Sequence, residues 1–229
     1  LLCTFNGLDR RGEYGELAPG AVRYAAPIAI TEPTRIRARV RVEGAVWSSM
    51  VTESYVFELP TLAITEILFA PERIPGDAFR STDYEFLELF NFGERSLNLA
   101  GVSVARRSRS QTYFQFPQED EIPLEAGEYL VIARNPEAFR TRYPDPGIRV
   151  VGGFPSGLAL SNAGQELELL GGFGETLLEF EYDDAWEPKA DSDGHSLVIR
   201  DPAADRSTWS DPSSWVASSQ VGGSPGRAD

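Results

Sequence analysis

Few residues of this chain could carry out nucleophilic or acid–base chemistry. His195 is the only histidine and Cys3 is the only cysteine. A Ser-His-Asp triad would have to combine His195 with Asp193 or Asp201, and no Gly-x-Ser-x-Gly segment presents a serine nucleophile. A reactive cysteine needs a neighbour that lowers its pKa, and none is identifiable beside Cys3. The sequence therefore predicts no catalytic residue and no enzymatic activity.

The acidic stretch 179–193 is the best candidate for a metal site. Calcium prefers several oxygen ligands from flexible loops, and here Lys189 is the only base among many carboxylates. The run 191–194 resembles part of an EF-hand loop, but that register would put Lys189 and Arg200 at ligand positions. We expect a solvated acidic loop, with no cofactor. The alternative is an irregular Ca²⁺ site, whose candidate ligands are Asp183, Asp184, Asp191 and Asp193.

Two of the four tryptophans are candidates for stacking on a sugar ring. Trp186 and Trp209 lie in polar, turn-rich segments, whereas Trp215 precedes Val216 and fits a buried strand. Large aromatic residues are more often at least partly buried, so burial is the competing interpretation. An exposed, coplanar arrangement of Trp186 and Trp209 would favour a carbohydrate-binding module.

The charge distribution argues against nucleic acid as a partner. Residues 1–60 hold seven acidic and seven basic residues, so the whole net charge of −14 lies in residues 61–229. Such a surface repels phosphate backbones.

No apolar run approaches the roughly 18 residues of a membrane span, so we expect no membrane insertion. A single cysteine allows no internal disulfide.

Residues 34–42 show the clearest strand pattern in the first part of the chain. Alternation predicts that four apolar side chains face one way and four arginines the other. These arginines could bind an anionic polymer, but we favour a solvent-exposed strand face. The apolar positions are Ile36, Ala38, Val40 and Val42, and the basic positions are Arg35, Arg37, Arg39 and Arg41.

Residues 61–229 alternate short apolar segments with turns every 8–15 residues, which is typical of a β-sandwich. One short helix is predicted from Asn135 to Arg142, with Asn135 as N-cap and Pro136 in the first turn. The fold class is therefore all-β, with two consecutive β-sandwich units that meet near Pro60. The candidate strands are 62–69, 84–91, 99–105, 112–116, 128–134, 148–151, 166–170, 175–182, 196–200 and 214–217.

An ordered series of motifs gives residues 62–229 a resemblance to the bacterial lamin tail domain. The motifs are Ile64-Thr-Glu-Ile67, Glu85-Phe-Leu-Glu-Leu-Phe-Asn91, Leu97-Asn-Leu-Ala-Gly101, Leu124-Glu-Ala-Gly-Glu-Tyr129, Leu160-Ser-Asn-Ala-Gly-Gln165, Trp215-Val-Ala-Ser218 and Gly223-Ser-Pro-Gly226. The resemblance implies an immunoglobulin-like sandwich. It also implies a non-catalytic module of a multidomain exported or cell-surface protein.

Residues 1–60 resemble part of the chitobiase/β-hexosaminidase C-terminal module, which is a small β-sandwich found in secreted bacterial proteins. The matching positions are Asn6-Gly7, Tyr24, Pro27-Ile28, Ile36-Arg-Ala38, Gly44, Trp47-Ser48 and Phe57. The first strands of that module have no counterpart here, and Leu1 begins within a predicted strand. We therefore expect the chain to be part of a longer protein.

These observations predict a structural or interaction module of a large exported bacterial protein, located outside the cell or at its surface. Its expected role is adhesion, spacing or protein contact. The expected partners are an unidentified protein or a cell-surface polysaccharide. The alternative is a carbohydrate-binding accessory module that targets an enzyme elsewhere in the parent chain. A metal-dependent hydrolase using the 179–193 carboxylates is a third hypothesis, which the sequence favours least.

Overall fold

The structure is a computed structural model, and it describes residues 1–5, 9, 11, 16–31, 33–42, 46–107 and 111–229. Strands make up 35% of the chain and helices 12%, which confirms the all-β fold class. The chain divides into two compact units, Leu1–Leu59 with Phe173–Glu175, and Pro60–Gly172 with Thr176–Asp229. Asn6-Gly7 and Gly44, which contribute to the chitobiase-type resemblance, lie outside the described residues.

The first unit is built on a four-stranded antiparallel sheet of order β2-β1-β3-β6, beside which β4 and β5 form a separate pair. Its strands are β1 Leu2–Thr4, β2 Val22–Arg23, β3 Thr34–Arg39, β4 Arg41–Val42, β5 Val46–Trp47 and β6 Val51–Tyr55. Cys3 and Thr4 are the only buried residues among those described in this unit. Apolar side chains such as Val51 and Tyr55 are instead exposed.

The arginine stripe of the first unit differs from the prediction in length and in exposure. The strand stops at Arg39, because the N–H of Val40 donates to the Ser48 hydroxyl (3.0 Å) and not to a neighbouring strand. All six residues of β3 are half-buried, so its arginines do not form a fully solvated face. Arg39 binds both carboxylate oxygens of Asp9, each at 3.0 Å.

The second unit is a sandwich of a six-stranded and a four-stranded sheet. Apolar side chains from both sheets, such as Ile64 and Leu167, pack into one core. The sheet orders are β14-β13-β8-β7-β17-β18 and β11-β10-β15-β16, and β9 pairs with β12. The strands are β7 Leu62–Leu68, β8 Phe86–Asn91, β9 Leu97–Asn98, β10 Ser103–Arg106, β11 Gln111–Gln115, β12 Pro123–Leu124, β13 Tyr129–Ala133, β14 Val150–Gly152, β15 Gln165–Leu170, β16 Thr176–Tyr182, β17 Leu197–Ile199 and β18 Trp215–Ala217.

Two short α-helices accompany the sandwich, α1 Pro136–Arg142 and α2 Pro188–Ser192. Helix α1 confirms the prediction, because the Asn135 side chain accepts hydrogen bonds from the N–H groups of Glu137 (3.1 Å) and Ala138 (3.3 Å). Proline at the first helical position supplies a backbone angle that suits helix initiation. The helix buries Phe139 against the six-stranded sheet, on the face opposite the sandwich core.

Strand β7 is buried at all seven positions, whereas β15 alternates between buried and half-buried residues. A strand that is buried on both faces needs a cover on the side away from the sandwich core. Helix α1 covers one part of that outer face. A second part is covered by residues 219–229, hereafter the 219–229 segment.

Candidate functional site

Glu66 and Glu88 lie directly opposite each other on the outer face of the six-stranded sheet. Each is only 1% exposed. They form the centre of a row that crosses all six strands, in the order Val150, Val131, Glu88, Glu66, Val198 and Val216. Opposed like charges destabilise a sheet, so two acids here require a compensating arrangement.

A register shift at Thr65 places Glu66 on this face. Ile64 pairs with Leu89 and Ile67 pairs with Leu87, and all four side chains belong to the sandwich core. Strict alternation would send Glu66 to the same side as Ile64. The shift between Ile64 and Glu66 inserts one extra residue, which is how a β-bulge moves the next side chain to the opposite face.

Both carboxylates accept hydrogen bonds from the 219–229 segment and from nearby hydroxyl groups. The N–H of Ser224 donates to Glu66 Oε1 (2.9 Å), and the N–H of Gly226 donates to Glu88 Oε2 (2.6 Å). The hydroxyl of Ser196 also donates to Glu66 Oε1, and that of Thr65 donates to Glu88 Oε1 (2.8 Å). The two acids therefore hold the backbone of the 219–229 segment against the sheet.

Glycine at position 223 lets this segment approach so closely. Gly223 has φ +85°, and a Cβ atom there would lie 2.0 Å from Glu66 Oε1. Pro225 separates the two N–H groups that reach the acids and has no N–H of its own. The hydroxyl of Tyr143, which follows α1, donates to the carbonyl of Gly222 (2.5 Å). The segment is thus bound through the N–H groups of Ser224 and Gly226 and through the carbonyl of Gly222.

Burial dominates the electrostatics of the pair. It raises the pKa of Glu66 to about 7, an effect that the hydrogen bonds from Ser196 and Ser224 oppose. Burial also raises the pKa of Glu88 well above its usual range, and the neighbouring Glu66 charge adds to that shift. Within the described residues neither acid forms an ion pair, so every donor they receive is neutral. Burial and the neighbouring Glu66 charge therefore both favour the protonated form of Glu88.

A pocket of about 340 Å³ opens beside the pair. Its lining includes Glu66, Glu88, Tyr129, Val198, Ser224 and Arg227. Two buried polar atoms of these residues have no hydrogen-bond partner, Glu66 Oε2 and Ser224 Oγ. Buried polar atoms are nearly always paired, so two unpaired oxygens in one pocket call for a ligand or an ordered water.

The third buried acid of this unit has a different environment. Glu85 is fully buried, but its Oε1 lies 3.0 Å from the guanidinium of Arg134, and its Oε2 accepts the N–H of Leu160 (2.8 Å). Burial raises the pKa of Glu85 to about 7 despite these partners. Both carboxylate oxygens of Glu85 have partners, so Glu85 and Arg134 form a structural ion pair.

The structure does not bring the predicted calcium ligands together. Asp183 caps a short helical turn by accepting the N–H of Ala185 (2.8 Å), and Asp193 accepts the hydroxyl of Ser192 (3.1 Å). Asp191 is exposed and Asp184 is half-buried. In the parts of the chain that the structure describes, no group of three or more His, Cys, Asp or Glu residues could hold a metal ion.

The proposed sugar-stacking pair is corrected by the structure. Trp209 is 1% exposed, because it packs against Phe180 and Trp215 at centroid distances of 5.6 Å each. Trp186 is half-buried, and its ring centroid lies 6.3 Å from that of Trp215. The polar residues around Trp209 suggested exposure, but its side chain fills the sandwich core. The two rings therefore offer no exposed, coplanar surface to a sugar.

His195 and Cys3, the only histidine and the only cysteine of the sequence, both lie in structural environments. The Nδ1–H of His195 donates to the carbonyl of Ser218 (2.7 Å), so the recorded partner of this nitrogen is a backbone oxygen and not a carboxylate. Cys3 is buried in the first unit. Sequence reasoning missed Glu66 and Glu88 as a site, and named them only within the lamin tail motifs.

Comparisons with protein-family models, with curated proteins and with solved structures found no match to this chain. The lamin tail resemblance and its immunoglobulin-like fold type therefore remain predictions from the sequence motifs. Among the described residues, no helix is long and apolar enough to cross a membrane.

Proposed function

We propose that this chain is a non-catalytic structural or interaction region of a larger exported bacterial protein, with a role in adhesion, spacing or protein contact. One observation carries the proposal. Two of the buried acids with raised pKa values, Glu66 and Glu88, accept hydrogen bonds from the N–H groups of Ser224 and Gly226. Acids with shifted pKa values are often catalytic, but structural networks produce the same shifts. Here the network closes the 219–229 segment over the sheet.

The alternative of a carbohydrate-binding accessory module has less support. Its aromatic surface was expected from Trp186 and Trp209, and burial removes Trp209 from that role. The third hypothesis, a hydrolase based on the 179–193 carboxylates, lacks a convergent group of acids within the described residues. Contact with a partner protein is therefore the function that we favour.

A substrate panel and a glycan array test the proposal together. The full chain is incubated with chromogenic esters, glycosides, phosphates and peptides, beside the Glu66→Gln and Glu88→Gln variants. We expect no turnover by any of the three proteins and no saturable binding to the array. Turnover by the native chain that either variant abolishes would overturn the proposal in favour of an enzyme. Saturable binding of one glycan class would instead establish the carbohydrate-binding alternative.

A further inference from the structure

The pocket beside Glu66 has an acceptor that its own chain leaves unused. Glu66 Oε1 already accepts two hydrogen bonds, from Ser196 and Ser224, so only Oε2 remains for a ligand. The hydroxyl oxygen of Ser224 is the second unpaired atom, and Ser224 lines the same pocket. An ionised carboxylate accepts hydrogen bonds and donates none, so the missing partner must carry hydrogen-bond donors.

The charge of the pocket selects a cation. Glu66 and Glu88 receive only neutral donors, which leaves the negative charge of the pair uncompensated by any ion pair in the described part of the chain. Asp229 raises the pKa of Glu66 while Arg227 lowers it, and Arg200, which also lines the pocket, donates to the carbonyl of Ser213 (3.0 Å). A buried negative charge without a partner is costly, and a bound cation would relieve that cost.

The walls and the free acceptors define the shape of this cation. Val198, Pro202 and Val216 line the pocket with apolar surface that suits a short methylene chain. A guanidinium prefers to bind both oxygens of one carboxylate, and the two hydrogen bonds already made to Glu66 Oε1 block that geometry. A primary ammonium carries three separate donors and can bind single oxygens.

We propose that the pocket binds a primary alkylammonium group, which reaches the buried atoms Glu66 Oε2 and Ser224 Oγ by displacing the side chains that cover them. Either a lysine side chain of a partner or a free alkylamine carries this group. The inference rests on the proposed contact role and adds the chemistry of the contact. Its failure would leave that role intact, because a partner could bind another surface.

Binding must compete with protons on the acid pair. Glu66 has a pKa of about 7, so its ionised fraction rises about tenfold between pH 6 and pH 8. The affinity for an ammonium ion should rise roughly in proportion. The other titratable or charged groups around Glu66 are Glu88, Tyr129, Tyr143, Arg200, Arg227 and Asp229. Burial raises the pKa of both tyrosines, so they stay neutral in this range.

The direct test titrates n-butylammonium chloride into the full chain at pH 8 and constant ionic strength, with binding measured by calorimetry. We expect saturable binding that weakens as the pH falls to 6. Glu66→Gln should weaken it about tenfold or more, because it removes a charge-assisted hydrogen bond. The matched control is Glu119→Gln, which removes one exposed acid elsewhere and should leave binding unchanged.

Two further variants keep the test decisive. A glutamine at position 66 can still accept both hydrogen bonds through its single oxygen, so we expect Glu66→Gln to fold. If Glu66→Gln does not fold, Ser224→Ala serves as the alternative variant. It keeps the backbone N–H that binds Glu66, and it should weaken binding of n-butylammonium severalfold. Arg227→Gln removes a rim cation and should strengthen binding.

Three results would overturn the inference: no saturable binding, equal binding by Glu66→Gln, or equally tight binding of n-butanol or n-propylguanidinium. Peptides then distinguish the two sources of the amine. A peptide with one internal lysine that binds more tightly than n-butylammonium, and loses binding on lysine acetylation, supports a partner protein. Equal affinity for both supports a free alkylamine.

Discussion

The backbone N–H of Ser224 is hydrogen-bonded to the carboxylate of Glu66, which lies 158 positions earlier in the chain. Glu66 is on the first strand of the six-stranded sheet, β7, so this bond joins the start of the second unit to the 219–229 segment. The contact uses a backbone donor, and it depends on the acid and not on the identity of the serine side chain. Mutations at position 66 should therefore affect both the stability of the unit and the attachment of the segment.

The second unit should lose stability as the pH rises from 5 to 8. An acid whose pKa is raised in the folded state favours folding below its unfolded pKa of about 4.5, and that contribution is lost as the pH passes the folded value of about 7. For Glu66 alone we expect a loss on the order of 2 kcal/mol. Chemical unfolding at four pH values measures it, and Glu66→Gln should flatten the curve. Stability that increases from pH 5 to pH 8 would contradict this prediction.

Gly223→Ala should destabilise the unit more than an alanine at another glycine with the same backbone angle. Gly76 has φ +83° and open space around it, so Gly76→Ala isolates the conformational cost of roughly 1 kcal/mol. At Gly223 the new Cβ would also collide with Glu66 Oε1, and overpacking adds roughly 1–3 kcal/mol. Urea unfolding of both variants gives the difference. Equal losses would mean that the segment is not held against Glu66.

Trp209→Ala should cost roughly 3–5 kcal/mol, because it empties a position in the sandwich core. Trp186→Ala is the comparison, and its half-buried ring should cost less than half as much. Trp209→Phe should be tolerated better than alanine, because the indole N–H of Trp209 has no acceptor to lose. Thermal unfolding of the three variants tests this ranking, which reverses if Trp209 is exposed in solution.

Calcium should leave the melting temperature unchanged. The candidate ligands Asp183, Asp184, Asp191 and Asp193 lie in a described stretch and do not converge on one point. The measurement compares the native chain in calcium and in EDTA, beside an Asp191→Ala, Asp193→Ala double variant. A calcium-dependent rise that the double variant lacks would restore the metal site. A rise of equal size in both proteins would place a site elsewhere.

Local sequence patterns predicted the elements that follow a regular alternation of buried residues or begin with a clear helix-capping pair. Strand β15 and helix α1 occur where alternation and the Asn135-Pro136 pair place them. The predicted strand 99–105 begins later, at Ser103, because the N–H of Val102 donates to the carbonyl of Leu99 in a turn. Hydrogen bonds of this local kind depend on the turn geometry, which alternation of apolar residues does not encode.

The candidate site depended on information that no short pattern contains. Alternation along β7 puts Glu66 on the side of Ile64, and only the register shift at Thr65 moves it opposite Glu88. The burial of both acids then requires the distant 219–229 segment. Trp209 shows the same limit. Its neighbours in the sequence are polar, but in the folded chain its ring packs against Phe180 and Trp215.

The six-stranded sheet of the second unit ends at β14 and β18, and each of these edge strands has only three residues. An exposed edge can add a strand from another molecule, and the number of hydrogen bonds gained depends on the edge length. Three-residue edges offer few such bonds. We therefore expect that copies of this sheet can be crowded together, or repeated along one polypeptide, without joining edge to edge into fibres.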